Sequence, residues 1–288
     1  MRLKPDRPGS LRLVDAREFL GLDPVRELGD DDTHWRLTVT PELSTPAKFL
    51  FGGCGLGAGL VALEEASGRS TIWATAQYLS YATTGSIVDY EVTLAVVGGH
   101  VTQGRAVART DGREILTINA ALGEPQRVPH EVWAKPPSVP RPDDCPERWL
   151  PVEATNSILD RVDVRVAAGR LMSDLDGTPG GPNSALWARV PGHLSPSAGT
   201  LAIFGDYGSG GASQPLGRPT MGRSLDNTLR VVQLEPSEWV LCDIRMHAAV
   251  DGYAQGVAFL WSESGTLLAT ASQSFGLRFW ENRLSREG

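Results

Sequence analysis

Three side chains in the C-terminal half are of types that could hold a water molecule for attack on a carbonyl carbon: Asp226, His247 and Gln273. Asp226 lies in SLDNTL, inside a strand-like run, where a buried carboxylate is costly unless it is paired. His247 follows an apolar stretch that starts at Trp239, and an imidazole takes and returns protons near neutral pH. Gln273 lies in the apolar segment ATASQSFG and offers an amide donor and an amide acceptor. On neighbouring strands the three would converge on one water. From the residues alone, solvent exposure accounts for them more simply, because a strand turns every second side chain outward.

A second chemical signal is the glycine run of LFGGCGLGAGL. Five glycines fall between Gly52 and Gly59, each costing about 1 kcal/mol relative to Ala inside a helix. Two readings stay open. A thin helix could be needed for close packing, or bare N–H groups of Gly53, Cys54 and Gly55 at a helix start could take a developing oxyanion. Cys54 would have a lowered thiol pKa at such a start, but no His or acid lies near it in sequence, and a small packed residue is the simpler reading. Gly53, Gly55 and Ala58 also satisfy G-x-G-x-x-A. The strand expected next, Ile72 to Tyr81, carries no Asp or Glu to bind a ribose, which argues against a dinucleotide site. Asp206, in LAIFGDYG, reads as a structural carboxylate at a helix end.

These residues need elements to position them. Ala16 to Leu20 suggests a short helix and Trp35 to Thr40 a strand. The later part of Leu50 to Glu65 has helical character, closed by Gly68. Strands are expected at Ile72 to Tyr81, Ile87 to Val97, Val101 to Arg109 and Glu114 to Leu122, with turns at Gly98-Gly99 and Asp111-Gly112. The second half repeats that order. Leu159 to Ala167 and Ala185 to Val190 read as strands, and Thr200 to Tyr207 as a helix running into the helix-breaking stretch Gly208 to Gly211. Leu225 to Val232, Trp239 to Met246, Tyr253 to Trp261 and Leu267 to Phe279 read as strands. Val101-Thr102-Gln103-Gly104 aligns with Tyr253-Ala254-Gln255-Gly256, and Ile115 to Gly123 with Leu267 to Gly276 after one inserted residue. A tandem duplication follows. Residues 1–123 form one domain and 152–288 the other. Residues 124–151, carrying Pro125, Pro129, Pro136, Pro137, Pro140, Pro142, Pro146 and Pro151, form a semi-rigid connector.

Composition narrows the function classes. A formal net charge of −7 over 288 residues without a Lys/Arg cluster disfavours nucleic-acid binding. Three cysteines, Cys54, Cys145 and Cys242, with no CxxC pair, disfavour a disulfide framework or a zinc site and point to a reducing compartment. Met1 to Ser10 has no apolar core of a secretory signal, and no run of eighteen apolar residues occurs. A soluble cytoplasmic protein is expected.

LFGG before a helix, followed by DYEVTLAVVGGHVTQGRAVARTDGREILTINAALG, resembles the N-terminal domain of the type II acyl-CoA thioesterases. RSLDNTLRV, WVLCDIRMHAAVDGYAQGVAFLW, GTLLATASQSFGLRF and LWARV (Leu186 to Val190) resemble the C-terminal one. The resemblance covers about Trp35 to Phe279. It implies an α+β fold of two tandem hot-dog domains, each a curled antiparallel sheet around a central helix. It also implies a site between the halves in which an Asp, a Ser or Thr, and a Gln orient the attacking water. The Asp of the family's SLD motif falls on Asp226 and the Gln on Gln273, and a gap-free count puts His247 at the hydroxyl position. The implied substrate is an acyl-CoA or acyl-carrier thioester, with no cofactor beyond the coenzyme A of the substrate, no metal and no membrane partner. A homodimer is implied by sheet edges that this superfamily pairs between subunits.

Two classes of function follow. One is hydrolysis of an acyl-CoA to a carboxylic acid and free coenzyme A. The other is binding of an acyl thioester or another hydrophobic ligand without hydrolysis, motivated by His247 and by Gly208 to Gly211. Other thioester chemistry on the same scaffold, such as hydration of an enoyl thioester, is a third possibility.

Overall fold

The computed structural model describes residues 15–26, 33–126, 128, 130–150, 152–192 and 195–280. Met1 to Ser10, Pro129 and Pro151 lie outside them. Helix α1 is Ala16–Leu20, α2 Gly52–Ser67, α3 Ile158–Arg161, α4 Ala198–Gly205, α5 Gly208–Gly211 and α6 Ser213–Leu216. Strands of the first half are β1 (Leu22–Pro24), β2 (His34–Thr38), β3 (Ser70–Tyr78), β4 (Ile87–Val97), β5 (Val101–Thr110) and β6 (Arg113–Gly123). Those of the second are β7 (Asp163–Ala168), β8 (Asn183–Arg189), β9 (Thr220–Val231), β10 (Val240–Val250), β11 (Tyr253–Ser262) and β12 (Leu267–Phe279).

The strands form one antiparallel sheet in the order β1-β2-β4-β5-β6-β3-β9-β12-β11-β10-β8-β7. That order reads alike from both ends, with β3 equivalent to β9 and β6 to β12, as two copies of one unit joined edge to edge would give. The seam is β3 against β9, where the Thr75 and Thr228 hydroxyls meet at 2.8 Å. This is the α+β double hot-dog architecture, with the central helix of each half, α2 and α4, against the inner face of the sheet.

Helices α2 and α4 are apolar and almost wholly buried, and they pack antiparallel. Their glycines divide by face. A Cβ on Gly53 would lie 2.7 Å from the carbonyl oxygen of Ala202, and one on Gly57 the same distance from that of Gly199. Gly55 and Gly59 face the strands instead, against Leu116, Ile118 and Tyr90. Close backbone approach on one side and sheet packing on the other therefore account for the run, and the whole run from Gly52 is helical, not only its later part.

The connector crosses the outer face of the second half. The Trp187 indole donates to the Pro140 carbonyl at 2.9 Å, and Cys145, Trp187, Trp239, Leu241 and Trp261 form a small separate core there. Two expectations are corrected. The Leu159 segment opens with a helical turn, because Ser157 caps it by accepting from the Leu159 N–H. Gly208–Gly211 is itself a helical turn, continuing from α4 into α6.

Gly57→Ala is expected to lower stability by about 1–3 kcal/mol through overpacking against a backbone that cannot retreat, although Ala is the better helix former. Chemical denaturation midpoints test this; an unchanged or raised midpoint would show that the helix contact is looser than described.

Candidate functional site

Helix α2 begins without help from its own sequence. Its N-cap is Phe51, which offers no side-chain oxygen, and its first turn holds no acid. The group that satisfies it comes from the other half. Asp206 is the residue that ends α4, and its Oδ2 accepts the Gly53 N–H at 2.8 Å. Because the helices are antiparallel, the C-terminal end of α4 meets the N-terminal end of α2. A carboxylate is unfavourable at the end of its own helix but favourable at the start of the next.

The remaining oxygen of Asp206 gathers three more donors. Gln273 Nε2 donates to Oδ1 in a short hydrogen bond, and Asn227 Nδ2 and the Ser224 hydroxyl reach it at 3.5 Å. Gln273 Nε2 also donates to Ser224 Oγ at 2.8 Å. A carboxylate can only accept, so the amide nitrogen of Gln273 must face it. Its Oε1 is left buried without a partner among the described residues. A Cβ on Gly208 would come within 3.3 Å of that oxygen. Asp206, Asn227 and Gln273 are all at least 95% buried.

Burial is the dominant influence on Asp206. It raises the carboxyl pKa from 3.8 to about 6, against the opposing bonds from Gly53, Gln273, Asn227 and Ser224. At neutral pH the group is therefore mostly ionised, yet it holds a proton far more readily than an exposed Asp. The cluster thus sets a carboxylate able to take up a proton near neutral pH beside an amide oxygen that has no partner among the described residues.

Of the residues expected from sequence, Gln273 joins this cluster with its side chain and Gly53 with its backbone N–H. Asp226 does not, because β9 carries an irregularity in which Leu225 has no partner while Ser224 pairs with Phe275 and Asp226 with Ser274. That extra residue brings Ser224 to the side of Gln273. Asp226 accepts the Ser274 N–H at 2.9 Å instead. His247 is exposed at a bulge of β10, unpaired between Met246 and Ala248, so a gap-free count along that strand could not place it. Of the proposed oxyanion donors, the Gly53 N–H is taken by Asp206 and the Gly55 N–H by the Phe51 carbonyl at 3.1 Å. Cys54 is fully buried, and its thiol pKa is raised by that burial, the reverse of an activated nucleophile.

Ser224 and Asn227 are not among the expected residues, and Asp206 is expected only as a structural carboxylate at a helix end, where it does lie. For Asp206 a signal existed: an acid directly after the apolar run Leu201 to Gly205, in a segment, 198 to 217, with no Lys or Arg to pair it. For Ser224 none did, since a bulge leaves no local mark in SLDN.

A family model described as the acyl-CoA thioesterase C-terminal domain matches residues 137–277. Among solved structures, one described as a thioesterase from Novosphingobium aromaticivorans is 32% identical, with a TM-score of 0.78, covering 86% of this chain and 97% of that one. A hot-dog-fold protein from Alicyclobacillus acidocaldarius is 19% identical over 88% of this chain and 98% of its own, with a TM-score of 0.75. Acyl-CoA thioesterase II TesB2 from Mycobacterium marinum is 20% identical over 92% and 99%, with a TM-score of 0.70. None of the curated protein sequences compared with the chain matches it.

The raised pKa has a consequence for stability. A carboxyl held above its unfolded value binds its proton more tightly in the folded state. Its contribution is therefore complete below about pH 4 and lost as pH rises through about 6. Asp206→Asn removes that titration, so between pH 4 and 7 the unfolding free energy of the variant should gain on the wild type by on the order of 2 kcal/mol. Urea titrations at the two pH values measure it. A gap that stays constant would mean that Asp206 titrates normally.

Proposed function

The chain belongs to the type II acyl-CoA thioesterase family, and on that premise we propose that it hydrolyses an acyl-CoA to a carboxylic acid and free coenzyme A. The observation that carries this reading is the buried Asp206–Gln273–Ser224 cluster, an ionisable carboxylate locked by an amide whose oxygen is unbonded among the described residues. In this reading a water sits between Gln273 Oε1 and Asp206. Its oxygen attacks the thioester carbon while its proton passes to Asp206. The tetrahedral intermediate collapses with cleavage of the C–S bond, and the departing thiolate takes the proton back from Asp206. Ser224 holds Gln273 in place by accepting from the same Nε2 that binds the carboxylate.

The reaction needs no metal or redox cofactor. By the same reading the enzyme works on fatty-acyl or related thioesters in the cytoplasm as a homodimer, and light scattering tests the assembly. The support is β1, the terminal strand of the first half; β7, at the other end, is flanked by the connector, where the Val166 N–H donates to the Pro146 carbonyl and the Arg148 N–H to the Val164 carbonyl, each at 2.9 Å.

Thiol release from acyl-CoAs of short, long and aromatic acyl groups tests the activity. Turnover should fall at least about 10²-fold in Asp206→Asn, as for loss of a general base, and should rise with pH to a plateau, half-complete near the Asp206 pKa of about 6. His247→Ala should leave it unchanged. Turnover that survives Asp206→Asn would remove the cluster from the mechanism.

A further inference from the structure

Hydrolysis of a thioester needs more than a positioned water. Negative charge develops on the carbonyl oxygen and must be met by a donor fixed in advance. At the start of α2 the Gly53 and Gly55 amides are already engaged. Another donor stands beside them. Tyr78 is the last residue of β3. Its hydroxyl oxygen is buried and has no hydrogen-bond partner among the described residues. A Cβ on Gly52 would lie 2.9 Å from Asp206 Oδ2 and 3.1 Å from the Tyr78 hydroxyl, so the phenol and the carboxylate flank the same first turn.

We propose that Tyr78 is a catalytic residue, whose hydroxyl donates to the thioester carbonyl oxygen while the Asp206 cluster delivers the water. The inference rests on the hydrolytic reading and adds to it a residue from the first half, so that the reaction is divided across the seam. A buried phenol with no partner carries an uncompensated desolvation cost, which a substrate carbonyl would relieve on binding. Burial and the neighbouring Asp206 charge also hold its pKa well above 10, so the group stays protonated, as a donor must.

Tyr78→Phe keeps the ring and removes only the donor. Because that hydroxyl bonds to nothing among the described residues, the melting temperature should not fall. In the hydrolysis assay kcat should drop about 10²–10³-fold with little change in KM, while the rise of activity with pH, set by Asp206, stays where it is. A variant that matches the wild type in kcat overturns the proposal and leaves the hydrolytic reading standing. A second measurement does not depend on turnover. It compares binding of an acyl-CoA analogue with methylene in place of sulfur, which keeps the carbonyl, and an alkyl-CoA thioether, which lacks it. The wild type should prefer the ketone and Tyr78→Phe should lose that preference. If the wild type hydrolyses nothing, the hydrolytic reading fails, and this comparison still decides the contact: an equal preference in both proteins overturns it.

Discussion

The carboxylate of Asp206 on the N–H of Gly53 is the contact on which the rest of the chain is arranged. It brings a charge at the end of one buried helix to the start of another. This works only if the helices run antiparallel and touch closely enough for Gly53 to sit against the backbone of Ala202 and Ile203. The requirement for thin helices, the glycine run, and the edge-to-edge joining of two half-sheets around one helix pair are then linked. Burying a lone carboxylate would be prohibitive. Here a backbone amide, a side-chain amide and two longer contacts offset most of that cost but not all of it, and the shortfall is visible as the upward pKa. The same imbalance that weakens the fold at neutral pH makes the group a workable base.

The legibility of this arrangement in the sequence follows from the range of its physics. Strands announced by period-two alternation, such as Ile87–Val97, and turns marked by Asp-Gly fell close to their expected places, because alternation and positive φ are local properties. Asp111, for example, takes a φ of 50° beside Gly112 at 74°. The duplication was legible because it repeats those local properties in order. The site was not. Gln273 could be found by its motif, but its partners depend on an extra residue in β9 and on a helix end 67 positions away, and neither leaves a periodic trace. The gap-free count that places His247 assumes an unbroken ladder, and the bulge there breaks it; Asp226 is placed by its SLD motif, and the irregularity at Leu225 puts Ser224 beside Gln273 instead.

The two halves show how a duplicated frame becomes a one-sided site. In the first half β3 and β6 carry the same irregularity as β9 and β12: Thr71 pairs with Leu122, Trp73 with Ala121 and Ala74 with Ala120, while Ile72 is skipped. Thr71 thus stands where Ser224 does, Ala74 where Asn227 does and Ala120 where Gln273 does. An acid is present too, since Glu64 in the last turn of α2 accepts the Thr71 N–H at 2.8 Å. What differs is the need for it. Helix α4 starts with Ser197, whose side chain accepts the Thr200 N–H, so it has a cap of its own and calls for no carboxylate from across the seam. Glu64 folds back on its own half, and with alanines in place of both amides nothing draws it inward. Helix α2, starting at Phe51, has no such cap, and so Asp206 is held at the seam. The different caps, together with Ala74 and Ala120 in place of Asn227 and Gln273, direct one carboxylate into the interface and the other away from it, so the polar cluster is built once among the described residues even though its backbone frame is built twice.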